Sequence, residues 1–138
     1  MKALTTYLHF AGTCRQVMSF YKECFGAELE LNTYPTSTGQ PSTDPAARIM
    51  HAQLTRDGHP ILMASDHPES GALDVGNAFS IAIDCESVEE IDRLFAALAQ
   101  GGEATMPPTD APWGARFGML TDKFGIPWML NCYLQPPK

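Results

Sequence analysis

The sequence predicts an α+β fold of one domain, 138 residues long, made of two β-α-β-β-β repeats related by a pseudo-twofold. Three observations carry this. Leu54-Thr55-Arg56-Asp57-Gly58-His59-Pro60-Ile61-Leu62-Met63 is echoed by Leu120-Thr121-Asp122-Lys123-Phe124-Gly125-Ile126-Pro127-Trp128-Met129-Leu130, each a strand, a charged turn, Gly-x-Pro and an apolar run. Phe20 to Glu28 ends a helix-periodic stretch with Gly-Ala-Glu, and Phe95 to Glu103 ends another with Gly-Gly-Glu. The order of elements between these anchors is the same in both halves. Repeat one covers about 1–66 and repeat two about 77–138. A duplicated chain of this kind predicts one shared cleft between its halves.

The elements follow in order. Leu4 to Phe10 is rich in aliphatic, aromatic and β-branched residues and reads as a strand. Gly12-Thr13 breaks it, and the Thr13 hydroxyl can cap a helix running to about Cys24, with Val17, Phe20, Tyr21 and Cys24 on one buried face. Gly26 is placed to end that helix. Ala27 to Tyr34 alternates as a strand, and Pro35 to Ala46 has almost nothing to bury and reads as a mobile loop. Arg48 to Thr55 and Pro60 to Ser65 form a hairpin around Arg56-Asp57-Gly58-His59, whose Gly supplies a positive φ.

After a loop from Asp66 to Gly76, Ala78 to Asp84 is the first strand of the second half. Ser87-Val88-Glu89-Glu90 is a capping box, and its helix buries Val88, Ile91, Leu94, Phe95 and Leu98 before ending at Gly101-Gly102. A short strand from Glu103 to Met106 leads to a Pro-rich loop, Pro107 to Pro112. Arg116 to Thr121 and Pro127 to Tyr133 close the second hairpin. The strand methionines Met50, Met63, Met106, Met119 and Met129 read as adaptable core filler.

Composition narrows the function classes. A net charge of −7, with nine scattered basic residues, argues against a nucleic-acid footprint. No stretch has the length of a membrane span, and Met1-Lys2-Ala3-Leu4-Thr5-Thr6 lacks the apolar core of a signal peptide, so a cytoplasmic protein is expected. The four cysteines Cys14, Cys24, Cys85 and Cys132 form no Cys-x-x-Cys pair and read as free, buried thiols.

Three stretches are similar to one superfamily: Tyr7-Leu8-His9-Phe10-Ala11-Gly12, Phe20-Tyr21-Lys22-Glu23-Cys24-Phe25-Gly26-Ala27-Glu28, and Trp113-Gly114-Ala115-Arg116-Phe117 through Trp128. With two β-α-β-β-β units, the chain resembles the vicinal oxygen chelate superfamily of glyoxalase I, bleomycin- and fosfomycin-resistance proteins and extradiol dioxygenases, in its PhnB-like branch. The resemblance implies a curved sheet around the cleft and a homodimer. Some PhnB-like proteins carry a ubiquinone-biosynthesis methyltransferase label, but this chain has no Gly-rich strand-to-helix turn to hold S-adenosylmethionine.

Metal-dependent relatives bind a divalent ion through four His or Glu ligands, two per half, because such an ion needs converging nitrogen or carboxylate donors. Carried over from the motifs, those positions fall on Thr6, Leu62, Ala78 and Met129. Leu and Ala have no donor atom, Thr is weak, and a lone thioether suits copper better. A register error of one residue offers Thr5, Ile61 or Met63, Asn77 or Phe79, and Trp128 or Leu130, which is no better. The expectation is therefore no metal and no cofactor.

The expected ligand-binding set is Thr6, Leu8, His51, Gln53, Leu62, Ala78, Trp113, Arg116, Phe117 and Met129. Met50, Ala52 and Leu54 alternate as the apolar face, leaving His51 and Gln53 to look into the cleft, opposite Ala64 and Leu62. His51 is the candidate catalytic residue, as a hydrogen-bonding or acid-base imidazole, or else a half-buried polar residue. His9 falls with Tyr7, while His59 and His67 lie in a turn and a loop. Trp113, Arg116 and Phe117 form a lid with Arg116 on an anionic group, or plug one end while Arg116 pairs with a carboxylate. No Ser-His-Asp or Cys-His arrangement is supported by spacing. Three readings result: a metal-free small-molecule binder; a glyoxalase-type lyase, isomerase or transferase using a displaced metal or His51; and a regulatory or interaction module with a vestigial cleft.

Overall fold

The computed structural model describes residues 1–67 and 73–134, so the middle of the expected 66–76 loop and the end of the second repeat lie outside the described residues. The chain divides into two compact units, Met1–Asp74 and Val75–Lys138. The first contains β1 (Tyr7–Phe10), α1 (Cys14–Phe25), β2 (Glu28–Thr33), β3 (Ile49–Arg56) and β4 (His59–Asp66). The second contains β5 (Ile81–Asp84), α2 (Val88–Ala99), β6 (Glu103–Ala111), β7 (Ala115–Thr121) and β8 (Pro127–Tyr133). Each unit builds a four-stranded sheet of the same order, β1-β4-β3-β2 in one and β5-β8-β7-β6 in the other. In both, the first strand runs parallel to the last, and the other neighbours are antiparallel. This is the predicted α+β duplication.

Each helix covers one face of its own sheet. In the first unit Cys14, Val17, Met18, Tyr21 and Cys24 of α1 are buried with Leu8, Phe10, Ile49, Ala52, Leu54, Leu62 and Ala64 of the strands. In the second, Ile91, Leu94, Phe95 and Leu98 of α2 are buried with Leu120, Trp128, Leu130 and Cys132. Val88, expected in that face, is 40% exposed. Strand alternation then sends every second side chain to the helix-free face.

The helices start differently. Ser87 accepts from the Glu90 amide at 3.0 Å, as a capping box requires, and the Glu90 carboxylate accepts from the Glu86 amide at 2.9 Å. Thr13, expected to cap α1, makes no side-chain cap bond. Buried Asp66 replaces it: one oxygen accepts from the Gly12 and Cys14 amides at 2.8 and 3.0 Å, the other from the Ile49 amide at 2.9 Å. Asp122 is the second unit's buried carboxylate, accepting from the Phe124 and Ile126 amides and from Trp128 Nε1.

Several boundaries move for physical reasons. β1 begins at Tyr7 rather than Leu4, although the Thr6 carbonyl still accepts from the Met63 amide at 3.0 Å. β5 begins at Ile81 rather than Ala78; Ile81 sits opposite Trp128, and one step further back lies Pro127, which has no N–H for the ladder. The Pro-rich segment 107–112 is not a loop up to residue 111: β6 runs through Pro107 and Pro108 as the edge strand, with register shifts on either side of Met106. Segment 35–46, expected to be a mobile loop, carries its own hydrogen-bonded framework. Tyr34 donates to the Arg48 carbonyl, Thr36 and Gln40 bond, Pro35 bridges Pro41, and the Ser42 amide donates to Thr33 Oγ1.

Candidate functional site

The helix-free face of the first sheet carries the rings of Tyr7, His9 and His51. Strand pairing sets Tyr7 beside Met63 and His9 beside Ser65, with Gln53 on the other side of Met63 and His51 paired to Asn32 of the edge strand. The Tyr7 hydroxyl lies 3.1 Å from His51 Nδ1. In the tautomer where the phenol donates, the imidazole proton sits on Nε2 and makes the ring a donor at its outer edge. The rings continue as a row: His51 to Tyr7 at 5.7 Å between centroids, Tyr7 to His9 at 5.2 Å, and His9 to His67 at 5.6 Å.

His51 also lines a pocket of about 580 Å³ in the same unit. The folded 35–46 segment supplies Pro35, Pro41 and Ser42, β2 supplies Leu31 and Thr33, and α1 supplies Arg15. Sequence reasoning passed over this pocket because its walls are small, turn-forming residues. Pro, Ser, Thr and Gly signal a loop, and only the loop's fold turns them into a surface.

In the second unit, the helix-free face holds a row of side chains across the sheet. Met106 pairs with Met119, Met119 with Met129, and Met129 with Ala82. Beside it, Phe117 pairs with Asn131, whose amide donates to Asp84 at 3.3 Å. These methionines are not core filler. Met106 is 46% exposed, and Met119 and Met129 are half-buried. Met63 takes the matching place in the first unit, also half-buried, and Met50 is exposed at the β2–β3 irregularity.

The predicted set is therefore divided. His51, Gln53, Phe117 and Met129 reach helix-free faces. Leu62 does not: it is 2% exposed, opposite Leu54 and packed toward α1. The cause is a bulge. Thr55 pairs with Pro60 but Leu54 pairs with Leu62, which leaves Ile61 as an extra residue and shifts the alternation of β4 by one. Gly58-x-Pro60 and Gly125-x-Pro127 therefore align Leu62 with Met129 only by counting; in register, Leu62 corresponds to Trp128 and Met63 to Met129. Gln53 accordingly faces Met63, and Ala64 faces Ala52 rather than His51. Met50 is likewise displaced from the apolar face expected for it, because the irregularity beside Thr33 gives that place to Ile49.

Leu8 is 6% exposed and belongs to the packed face as well. Thr6 is exposed just ahead of β1, and Ala78 is exposed ahead of β5. Trp113 is 61% exposed at the β6–β7 connection and meets the Phe117 ring edge-on at 5.6 Å. Arg116 is committed elsewhere. It donates to Asp92 of α2 at 2.8 Å and to Asp110 of β6 at 3.3 Å, which pushes its pKa up, with the Asp92 hydrogen bond the largest cause. The carboxylate-pairing alternative describes it.

The superfamily's divalent ion does not fit these residues. Corrected for the bulge, the expected positions hold hydroxyl, thioether and methyl groups, and among the described residues no three His, Cys, Asp or Glu side chains converge. The four cysteines are free and buried. Desolvation pushes the Cys14 thiol up to about 12 and the Cys85 thiol up to about 11, and raises Cys132 too. Neutral thiols are poor nucleophiles. No described helix is long and apolar enough to cross a membrane.

Known proteins are similar to this chain in sequence and in fold. The protein YjdN of Escherichia coli (strain K12) is 34% identical, with 97% of each chain covered. The crystal structure of protein PA1353 from Pseudomonas aeruginosa is 36% identical, has a TM-score of 0.78, and matches over 96% of this chain and 98% of its own. The PhnB protein from Bacillus cereus is 30% identical with a TM-score of 0.76, over 95% of this chain and 99% of that one. The sequence profile of one family matches residues 4–130. With the same sheet order in both halves and a family match along nearly the whole chain, this protein belongs to the Glyoxalase/Bleomycin resistance protein/Dioxygenase superfamily.

Proposed function

We propose that this protein binds a small organic molecule in its first unit, without a divalent metal, and holds or carries it. The observation that supports this most is the pocket of about 580 Å³, whose apolar walls (Leu31, Pro35, Pro41, Met50) adjoin the ring of His51. Its size falls in the range of about 300–1,000 Å³ typical of small-molecule sites, which pair apolar walls with a few fixed polar groups. His51 is such a group, because Tyr7 fixes its orientation.

A thermal-shift screen of small acids, amides and drug-like aromatics tests the proposal, since a ligand of the folded state raises the unfolding temperature by mass action. For a compound so found, His51→Ala should weaken binding roughly tenfold, about 1.4 kcal/mol, and leave unliganded stability within about 0.5 kcal/mol. A stability loss near 2 kcal/mol with unchanged affinity would make His51 structural. Stoichiometric zinc, nickel, manganese or iron in protein purified without chelator would overturn the metal-free part.

A second reading is favoured by the 3.1 Å contact between Tyr7 and His51: in the other tautomer Nδ1–H donates to the phenol oxygen, and Nε2 is left unprotonated and oriented as a general base. It predicts chemical turnover of a bound compound that is abolished in His51→Ala. A compound recovered unchanged after long incubation with the wild type supports carriage.

A further inference from the structure

The pocket wall contains a cation to which the protein gives no partner. Arg15 is the second residue of α1 and lines the pocket. Among the described residues nothing pairs with its guanidinium, and its buried Nε–H has no acceptor. The side chain is half-buried, and among the described residues it forms no ion pair. This is unexpected in a chain with sixteen acidic and nine basic residues, where a carboxylate partner is easier to supply than a cation. Arg116 shows the usual outcome, pinned between Asp92 and Asp110. Asp66, at the start of the same helix, takes its bonds from the Gly12, Cys14 and Ile49 amides.

Only Nε of this half-buried side chain is withdrawn from water, and a guanidinium set in a largely apolar wall is more favourable with an anion beside it. The other polar groups on the pocket wall are neutral hydroxyls and an amide, with His51 beside them: Thr33, Ser42, Thr43 and Asn32. One planar guanidinium, in a chain of net charge −7, matches one carboxylate better than a doubly charged phosphate, which usually draws several cations. The remaining wall, Leu31, Pro35, Pro41 and Met50, suits a compact apolar body.

We infer that the pocket takes a small carboxylic acid in its anionic form, with the carboxylate on Arg15 and the hydrocarbon part against the prolines, Leu31 and Met50. This rests on the reading of the pocket as the ligand site.

Calorimetric titration with matched pairs tests it: phenylacetate against phenylacetamide, and hexanoate against hexanamide, at neutral pH and low salt, on wild type, Arg15→Gln and Arg15→Lys. The expected result is an acid preference of tenfold or more in the wild type, lost in Arg15→Gln, partly restored in Arg15→Lys, and falling as salt is raised. Amide affinity should change far less than acid affinity in either Arg15 variant, because a neutral carbonyl accepts a weaker bond from the cation. Because Arg15 has no hydrogen bond or ion pair to lose, Arg15→Gln should unfold at or slightly above the wild-type temperature. An acid preference that survives Arg15→Gln overturns the inference. Equal binding of acid and amide, weakened by His51→Ala, also overturns it but keeps the pocket as the ligand site. No binding by either pair overturns the acid, and a failed broader screen removes the ligand site as well.

Discussion

At the scale of single residues, Asp66 ties together segments far apart in the chain. Its carboxylate collects three backbone amides, two where α1 begins and one where β3 begins, all close to the core. Hydrogen bonds to a charged acceptor contribute about 1.5–3 kcal/mol each, and a buried donor left without a partner costs about 1–3 kcal/mol. Asp66→Asn keeps the shape but turns an amide donor toward other donors. It should lose about 2–4 kcal/mol in urea denaturation, and a loss under about 0.5 kcal/mol would contradict this account of the clamp. The role was not legible: the sequence reading put Asp66 at the start of a loop and Leu62 in the cleft, whereas Leu62, Ala64 and Asp66 share the buried face of β4. Which amides would meet it was not legible, since Gly12 lies 54 residues away. His51 and Gln53 were read onto the right face because β3 alternates regularly beyond its first turn. Leu62 was not, because an added residue at Ile61 is invisible to a period-two count.

Among the elements, the contact of α2 with β7 sets how closely helix and sheet approach. A methyl group on Gly118 would lie 2.9 Å from the Phe95 ring and 3.2 Å from the Met106 carbonyl oxygen. Gly118→Ala should therefore destabilise the protein by about 1–3 kcal/mol through overpacking, and Phe95→Leu in the same chain should recover part of the loss in thermal or urea unfolding. Additive losses would mean that the two side chains do not compete for space. The helices were readable from their apolar periodicity and from Gly26, which ends α1 with φ 60°. The hairpin turn was readable too, with Asp57 at φ 52° and Gly58 at φ 78°. The second part of strand β6 was not, because Pro107 and Pro108 deny a central strand but are tolerated at an edge, and edge position is a property of the whole sheet.

For the whole molecule, duplication governs what can be predicted. Both units repeat one sheet order, and both bury free thiols against their helices: Cys14 in the first, Cys85 and Cys132 in the second. Burial keeps these thiols neutral in the folded chain, so the unfolded chain loses its thiol protons first, from about pH 9. Their contribution to stability is fully present below that pH and is lost as pH rises toward about 11 for Cys85 and about 12 for Cys14. Chemical denaturation from pH 8 to 11 should show stability falling above pH 9, by up to about 1.4 kcal/mol per pH unit for each thiol. Cys14→Ala combined with Cys85→Ala should flatten that fall, and an unchanged slope would assign it to other groups.

The two helix starts differ in a way that bears on cooperativity. α2 carries its cap within its own first turn, through Ser87 and Glu90. α1 borrows its cap from the last residue of β4. Any opening that lifts the end of β4 therefore uncaps α1 and releases the start of β3 in the same event. The first unit's helix and two of its strands are bound into one unfolding step, while the second unit's helix keeps its cap when its sheet edge frays.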